Sequence, residues 1–100
     1  MNVARVALTD ANQQELIAAP TGGAAIYVYE IAGSSAGASL STVDLKDGTT
    51  KKWSFAMAAN GGGFGLPLTP KPWKLAAGAA LNVQQSAAVV SYVSCIYEVF

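Results

Sequence analysis

The 100 residues carry six cationic and six acidic side chains, one cysteine and no histidine, which bounds the chain to one domain over residues 1–100 with no net charge. A balanced chain lacks the basic field that displaces counterions from phosphates, which argues against nucleic-acid binding, and without histidine the commonest general base and metal ligand are missing. With charged residues at 12% and hydrophobic ones at 52%, about half the usual charged share, the folded surface is expected to present a neutral, partly apolar face to a partner.

In chain order, Val3 to Leu8 alternates weakly and stops at Thr9-Asp10. The run 11–19 contains good helix formers, but a helix there has only about two turns before Pro20, so a short strand over Gln14–Ala18 is the better reading. Pro20-Thr21-Gly22-Gly23 makes a tight turn, since proline presets φ and glycine takes positive φ freely. Ala25 to Ile31 is the strongest strand signal, with β-branched and aromatic residues on both faces, and predicts a central strand covered on both sides. Gly33 to Gly37 reads as a loop. Leu40 to Leu45 follows, then Asp47-Gly48, a hairpin signal, and then Lys52 to Met57, which puts Trp53, Phe55 and Met57 on one buried face.

Asn60 to Gly65 reads as a mobile loop, and Pro67, Pro70 and Pro72 indicate an edge or crossover beyond it. Pairing is expected to resume at Trp73–Leu75. Gly78 disfavours a helix in the alanine-rich stretch that follows, and a strand is expected at Ala80–Gln84 with a turn at Gln85-Ser86. Val89 to Val99 closes the chain as a long strand, Val93, Cys95, Tyr97 and Val99 on one face and Tyr92, Ser94, Ile96 and Glu98 on the other. Seven to eight short strands with glycine and proline turns predict an all-β, antiparallel sandwich or barrel.

No catalytic, cofactor-binding or metal site is expected. One cysteine without histidine makes neither a paired nucleophile nor a zinc site, and Cys95 reads as a small buried hydrophobe. The nearest carboxylate pair, Asp44 and Asp47, flanks a turn that favours Asp for its own sake. The Asn60–Gly65 run lacks the Gly-Lys-Ser/Thr ending of a phosphate loop. Three large side chains stand out as candidate interface residues. Phe64 sits among glycines, either folded onto the core or held out for a partner. Trp73 lies between Lys71-Pro72 and Lys74, either a core plug or an interface anchor. Phe100 is either pinned under a sheet edge or used between subunits. The apolar run Ala87–Val93 is too short to span a bilayer, and no signal segment is visible, so synthesis in a cytoplasm without membrane association is expected. Residues 1–45 carry a net −3 and residues 46–100 a net +3, a split compatible with complementary patches between neighbouring subunits.

Val6-Ala7-Leu8-Thr9, then Gln13-Gln14-Glu15-Leu16-Ile17, a glycine turn and Ile26-Tyr27-Val28 resemble the start of small β-rich structural proteins of tailed phages. Pro67-Leu68 through Lys71-Pro72-Trp73, then Gly78 to Val83 and the closing Val89–Tyr97 strand, resemble head decoration (cement) proteins. The resemblance implies a jelly-roll-like sandwich located in the virion. It also implies a homo-oligomer, trimer favoured over dimer, that docks on the major capsid protein or another virion protein and clamps the shell. A tail- or fibre-associated β-domain, binding carbohydrate or a receptor through Tyr27, Tyr29 or Trp73, is the alternative.

Overall fold

Period-2 alternation gives a strand one apolar face, and that face is buried only when a second sheet covers it. A computed structural model of the protein, which describes residues 1–100, shows this solution. Its strands are β1 (Asn2–Leu8), β2 (Gln14–Ile17), β3 (Ile26–Ser35), β4 (Ser41–Asp47), β5 (Thr50–Met57), β6 (Gly63–Pro67), β7 (Trp73–Lys74), β8 (Leu81–Gln85) and β9 (Ser91–Val99). Every pairing is antiparallel.

The chain pairs as one long ribbon doubled back at Gly48, where φ is +62°. β4 pairs with β5, β3 with β6 and β7, β2 with β8, and β1 with β9. Rolling the ribbon brings β9 onto β3 and β8 onto β4. Two sheets result, β1-β9-β3-β6 with β7 also on β3, and β2-β8-β4-β5. This is a jelly-roll-like β-sandwich. β6 and β7 lie along the same edge of β3 and amount to one strand broken at residues 68–72, where Pro70 and Pro72 remove backbone donors. That break is why nine strands appear where seven to eight are expected.

Between the sheets lie Leu8, Ile26, Val28, Ile31, Val43, Leu45, Met57, Leu81 and Val83, all fully buried. Each such side chain contributes about 1.5–3 kcal/mol relative to exposure. The accessible surface is 5093 Å², close to the roughly 5,300 Å² expected for a folded chain of this mass. The core is therefore complete within one copy.

Four expectations are corrected. The Gly33–Gly37 loop is in its first half strand, because β3 continues through Ser35 with Gly33 paired to both Val93 and Phe64. The mobile loop at 60–65 is a turn and then the edge strand β6. Asn60 (φ +59°) and Gly61 (φ +103°) make the turn, and the ladder to β3 starts at Gly63. β3 is central but covered on one face only. Ile26, Val28 and Ile31 point inward, whereas Tyr27 and Tyr29 are half-buried and Glu30 is exposed. Gln85 is not a turn residue but the buried end of β8.

Candidate functional site

Protein contact at a β-sandwich falls on its sheet edges or its outer faces, and the sequence treats its four edges differently. An edge strand exposes unpaired N–H and C=O groups, which charge, proline or a bulge protects from unwanted pairing. β5 carries exposed Lys51 and Lys52, and the β6–β7 edge carries Pro67, Pro70, Pro72 and Lys74. β2 is four residues long and irregular between Glu15 and Ile17. β1 carries a single charge, the exposed Arg5, and has neither proline nor bulge. It pairs with β9 in unbroken register from Asn2 to Leu8, and β9 is its only strand partner. None of its residues joins the backbone bonds made outside the strand ladders. Seven residues of extended edge, with Val3 58% exposed, are open to a further strand.

The three candidate interface residues are separated by the fold. Trp73 is 8% exposed and belongs to the core cluster, which is the core-plug alternative of its two readings. Its ring meets Trp53 edge to face at 4.8 Å, closing the side of the sandwich between β5 and β7. Phe64 is half-buried and lies flat on Phe55 at 4.7 Å, with 2° between the ring planes. It folds back because Gly33, its cross-strand partner, leaves room for the ring. Phe100 is 66% exposed. Its backbone N–H donates to the Ala25 carbonyl at 3.1 Å and its carbonyl accepts from Ala25 N–H at 3.0 Å, while its ring edge meets Tyr27 at 5.3 Å. Lys74 Nζ stands 5.7 Å over the Tyr27 ring, so Phe100, Tyr27 and Lys74 share one patch near Trp73. Phe64 pairs with β3 five residues further along, about 17 Å away at the ordinary strand rise.

The carboxylates are engaged in separate places. Asp44 accepts from Ser54 Oγ at 2.7 Å and pairs with Lys51 at 3.8 Å. Asp47 Oδ2 accepts from the Ala76 N–H at 3.1 Å. Glu98 faces the terminal amine at 3.6 Å. Cys95 is buried, and burial pushes its thiol up to about 11, opposed by a backbone hydrogen bond at Ala4. No group of three or more Cys, Asp or Glu residues stands close enough to hold a metal ion. No helix is long and apolar enough to cross a membrane.

Alternation within the strands missed one feature, the outer face of the β1-β9-β3-β6 sheet. A groove of about 610 Å³ crosses it, lined by Arg5, Ala7, Ala32, Ser34, Tyr92 and Ser94 among others. The register explains the hollow. Arg5, Ser94, Ala32 and Gly65 form one row across four strands, and three of those four side chains are small or absent. The reading of β9 had already put Tyr92 and Ser94 on the face opposite Val93 and Cys95. Which residues of β1 and β3 stand beside them is a matter of pairing, and no single strand contains it.

Two antiparallel sheets rolled from one ribbon, with one long regular edge and one grooved outer face, place the chain in the class of small jelly-roll-like β-sandwiches. No family model matches the chain, and no curated protein matches it. Among solved structures it is similar to PirA, with a TM-score of 0.55 and 11% identity over 96% of this chain and 93% of that one. It is also similar to a chain of the virus-like particle of the extra small virus of the giant freshwater prawn Macrobrachium rosenbergii. There the TM-score is 0.53 and the identity 12%, over 98% of this chain and 76% of that one. At these identities the likeness is one of fold.

Proposed function

We propose that the chain is a non-catalytic structural subunit of a virus particle, and within that class a decoration protein that docks on the outside of a tailed-phage head. The observation that carries the reading is β1, a seven-residue edge in unbroken register without proline or bulge, in a fold whose other three edges are short, lysine-bearing or interrupted. An extended segment of a shell subunit adds to such an edge as a further strand. Backbone hydrogen bonds then supply affinity, and alternate side-chain contacts supply register. The likeness in fold to a chain from a virus-like particle supports the assembly role, and many identical shell sites make modest single contacts sufficient.

The lysines support association between copies. Lys51, Lys52, Lys71 and Lys74 lie on the β5–β7 side, and at the β1–β2 side Asp10 and Glu15 outnumber Arg5. Opposite signs on opposite sides suit a head-to-tail ring, and a trimer is the favoured size. The test is binding to purified phage heads. The wild-type chain is expected to copurify with heads and raise their resistance to heat. Val6→Pro at the β1 edge is expected to lower occupancy, provided its circular dichroism spectrum stays that of the folded sandwich. Heads that carry no copies and are equally stable without the protein would overturn the reading, and labelling confined to tails would move it to a tail or fibre domain. A solution mass three times the 10.2 kDa of one chain checks the trimer.

A further inference from the structure

The groove across the outer face of the β1-β9-β3-β6 sheet holds chemistry that strand addition at β1 does not use. Arg5 is the only arginine of the chain. Its guanidinium takes part in neither of the two ion pairs, which join Met1 to Glu98 and Lys51 to Asp44, and it makes none of the side-chain hydrogen bonds that organise the loops. A charged fork with five donors therefore stands free at the groove wall. Tyr92, half exposed, lines the same groove one row away on the neighbouring strand. The hydroxyls of Ser34 and Ser94 line the groove as well. Val93 also lines it, and since its side chain is buried in the core it does so through its backbone.

We infer that this groove is a saccharide site selective for an acidic sugar, with Arg5 holding the sugar carboxylate and the Tyr92 ring carrying its apolar face. Planar guanidinium pairs with carboxylate in a bidentate fork, which gives direction as well as attraction. A half-exposed tyrosine offers an apolar surface with a polar tip, the match for a pyranose face edged by hydroxyls. The serine hydroxyls both donate and accept. Size favours a small ligand over a protein surface. About 610 Å³ falls within the range of small-molecule sites. Glu30 lies one row beyond, with Arg5 and Ser94 in an adjoining hollow, and sets the polarity of the site. The carboxylate of the ligand must sit toward Arg5 and away from Glu30. The inference does not rest on the virion reading and holds for the isolated chain.

The test is titration of the full chain with methyl β-D-glucuronide and methyl β-D-glucoside, followed by amide chemical shifts. The two probes differ only in carboxylate against hydroxymethyl. The glucuronide is expected to bind about ten- to a hundredfold more tightly, the range for a hydrogen bond to a charged group, and to shift the Arg5, Ser34, Tyr92 and Ser94 amides. Arg5→Gln is expected to remove the preference, Arg5→Lys to keep part of it, and Tyr92→Ala to weaken both probes. Glu30→Gln is expected to tighten the glucuronide alone. All three substituted positions, Arg5, Glu30 and Tyr92, are exposed, and an unchanged melting temperature confirms that each variant is folded. Equal affinity for the two probes would overturn the proposal. So would shifts confined to other faces, or sodium acetate or an acidic peptide binding as tightly as the glucuronide.

Discussion

Gly33 shows how much a single residue decides here. It pairs with Phe64 across the β3–β6 ladder, and a Cβ at Gly33 would meet the Phe64 ring. Glycine inside a strand marks such close approaches, and here it lets the ring reach Phe55 on the opposite sheet. Gly33→Ala is expected to cost about 1–3 kcal/mol by overpacking, measured by urea unfolding. Phe64→Ala should relieve most of that cost, so the double mutant will not be additive. Cys95 makes a second prediction at this scale. Its thiol is raised from 9.0 to about 11, so the folded chain holds a proton that the unfolded chain begins to lose near pH 9. Stability is fully present below that value and falls as pH rises toward 11. Cys95→Ala should flatten this part of the stability profile relative to the wild type.

Between elements, a buried polar clasp replaces the disulfide the chain cannot make. Gln85 at the end of β8 donates from Nε2 to the Asp10 carbonyl at 3.0 Å and to the Val89 carbonyl at 2.6 Å. Ser91 Oγ donates to Gln85 Oε1 at 2.6 Å. One side chain thus ties the β1–β2 connection to the β8–β9 connection at the end of the ribbon remote from Gly48. Gln85→Leu is close in volume but leaves the Ser91 hydroxyl and two carbonyls unpartnered. It is expected to cost about 1–3 kcal/mol and to speed amide exchange in residues 9–13 before global unfolding. The β4–β5 turn is held in a similar way, by Asn82 Nδ2 donating to the Gly48 carbonyl at 2.7 Å. Turn chemistry announces the Asp47-Gly48 hairpin from sequence. Nothing in Gln85-Ser86 distinguishes a clasp from a turn, because its partners are 75 residues and four residues away.

For the whole molecule, charge placement is the property to test. The sequence splits into a negative first part and a positive second part, and the rolled ribbon interleaves them, so that Lys51 pairs with Asp44 across β4 and β5. What survives is a gathering of lysines at the β5–β7 side. Joint Lys51→Glu and Lys52→Glu reversal is expected to shift a concentration-dependent oligomer toward monomer in sedimentation. Raising salt should weaken the proposed association between copies in the same direction, because exposed charges are screened beyond roughly 10 Å at 0.1 M. The native monomer fold should be unaffected, since both side chains are exposed.

The sequence by itself determined the β class, most strand positions and the hairpin at Gly48, because alternation and turn chemistry are local and each strand declares its own two faces. It also identified the large side chains in question, Phe64, Trp73 and Phe100, but not their surroundings. Only the tertiary structure decided that Trp73 is core, that Phe64 folds onto Phe55, that β1 is the open edge and that Arg5 and Tyr92 face one groove. The physical reason is register. Whether a strand is central or edge, and which residues stand side by side on its outer face, depends on pairings between segments tens of residues apart, here β1 with β9 and β9 with β3. The weakly charged surface read from composition is therefore not uniform: one edge of it is open to a strand and one face of it is grooved.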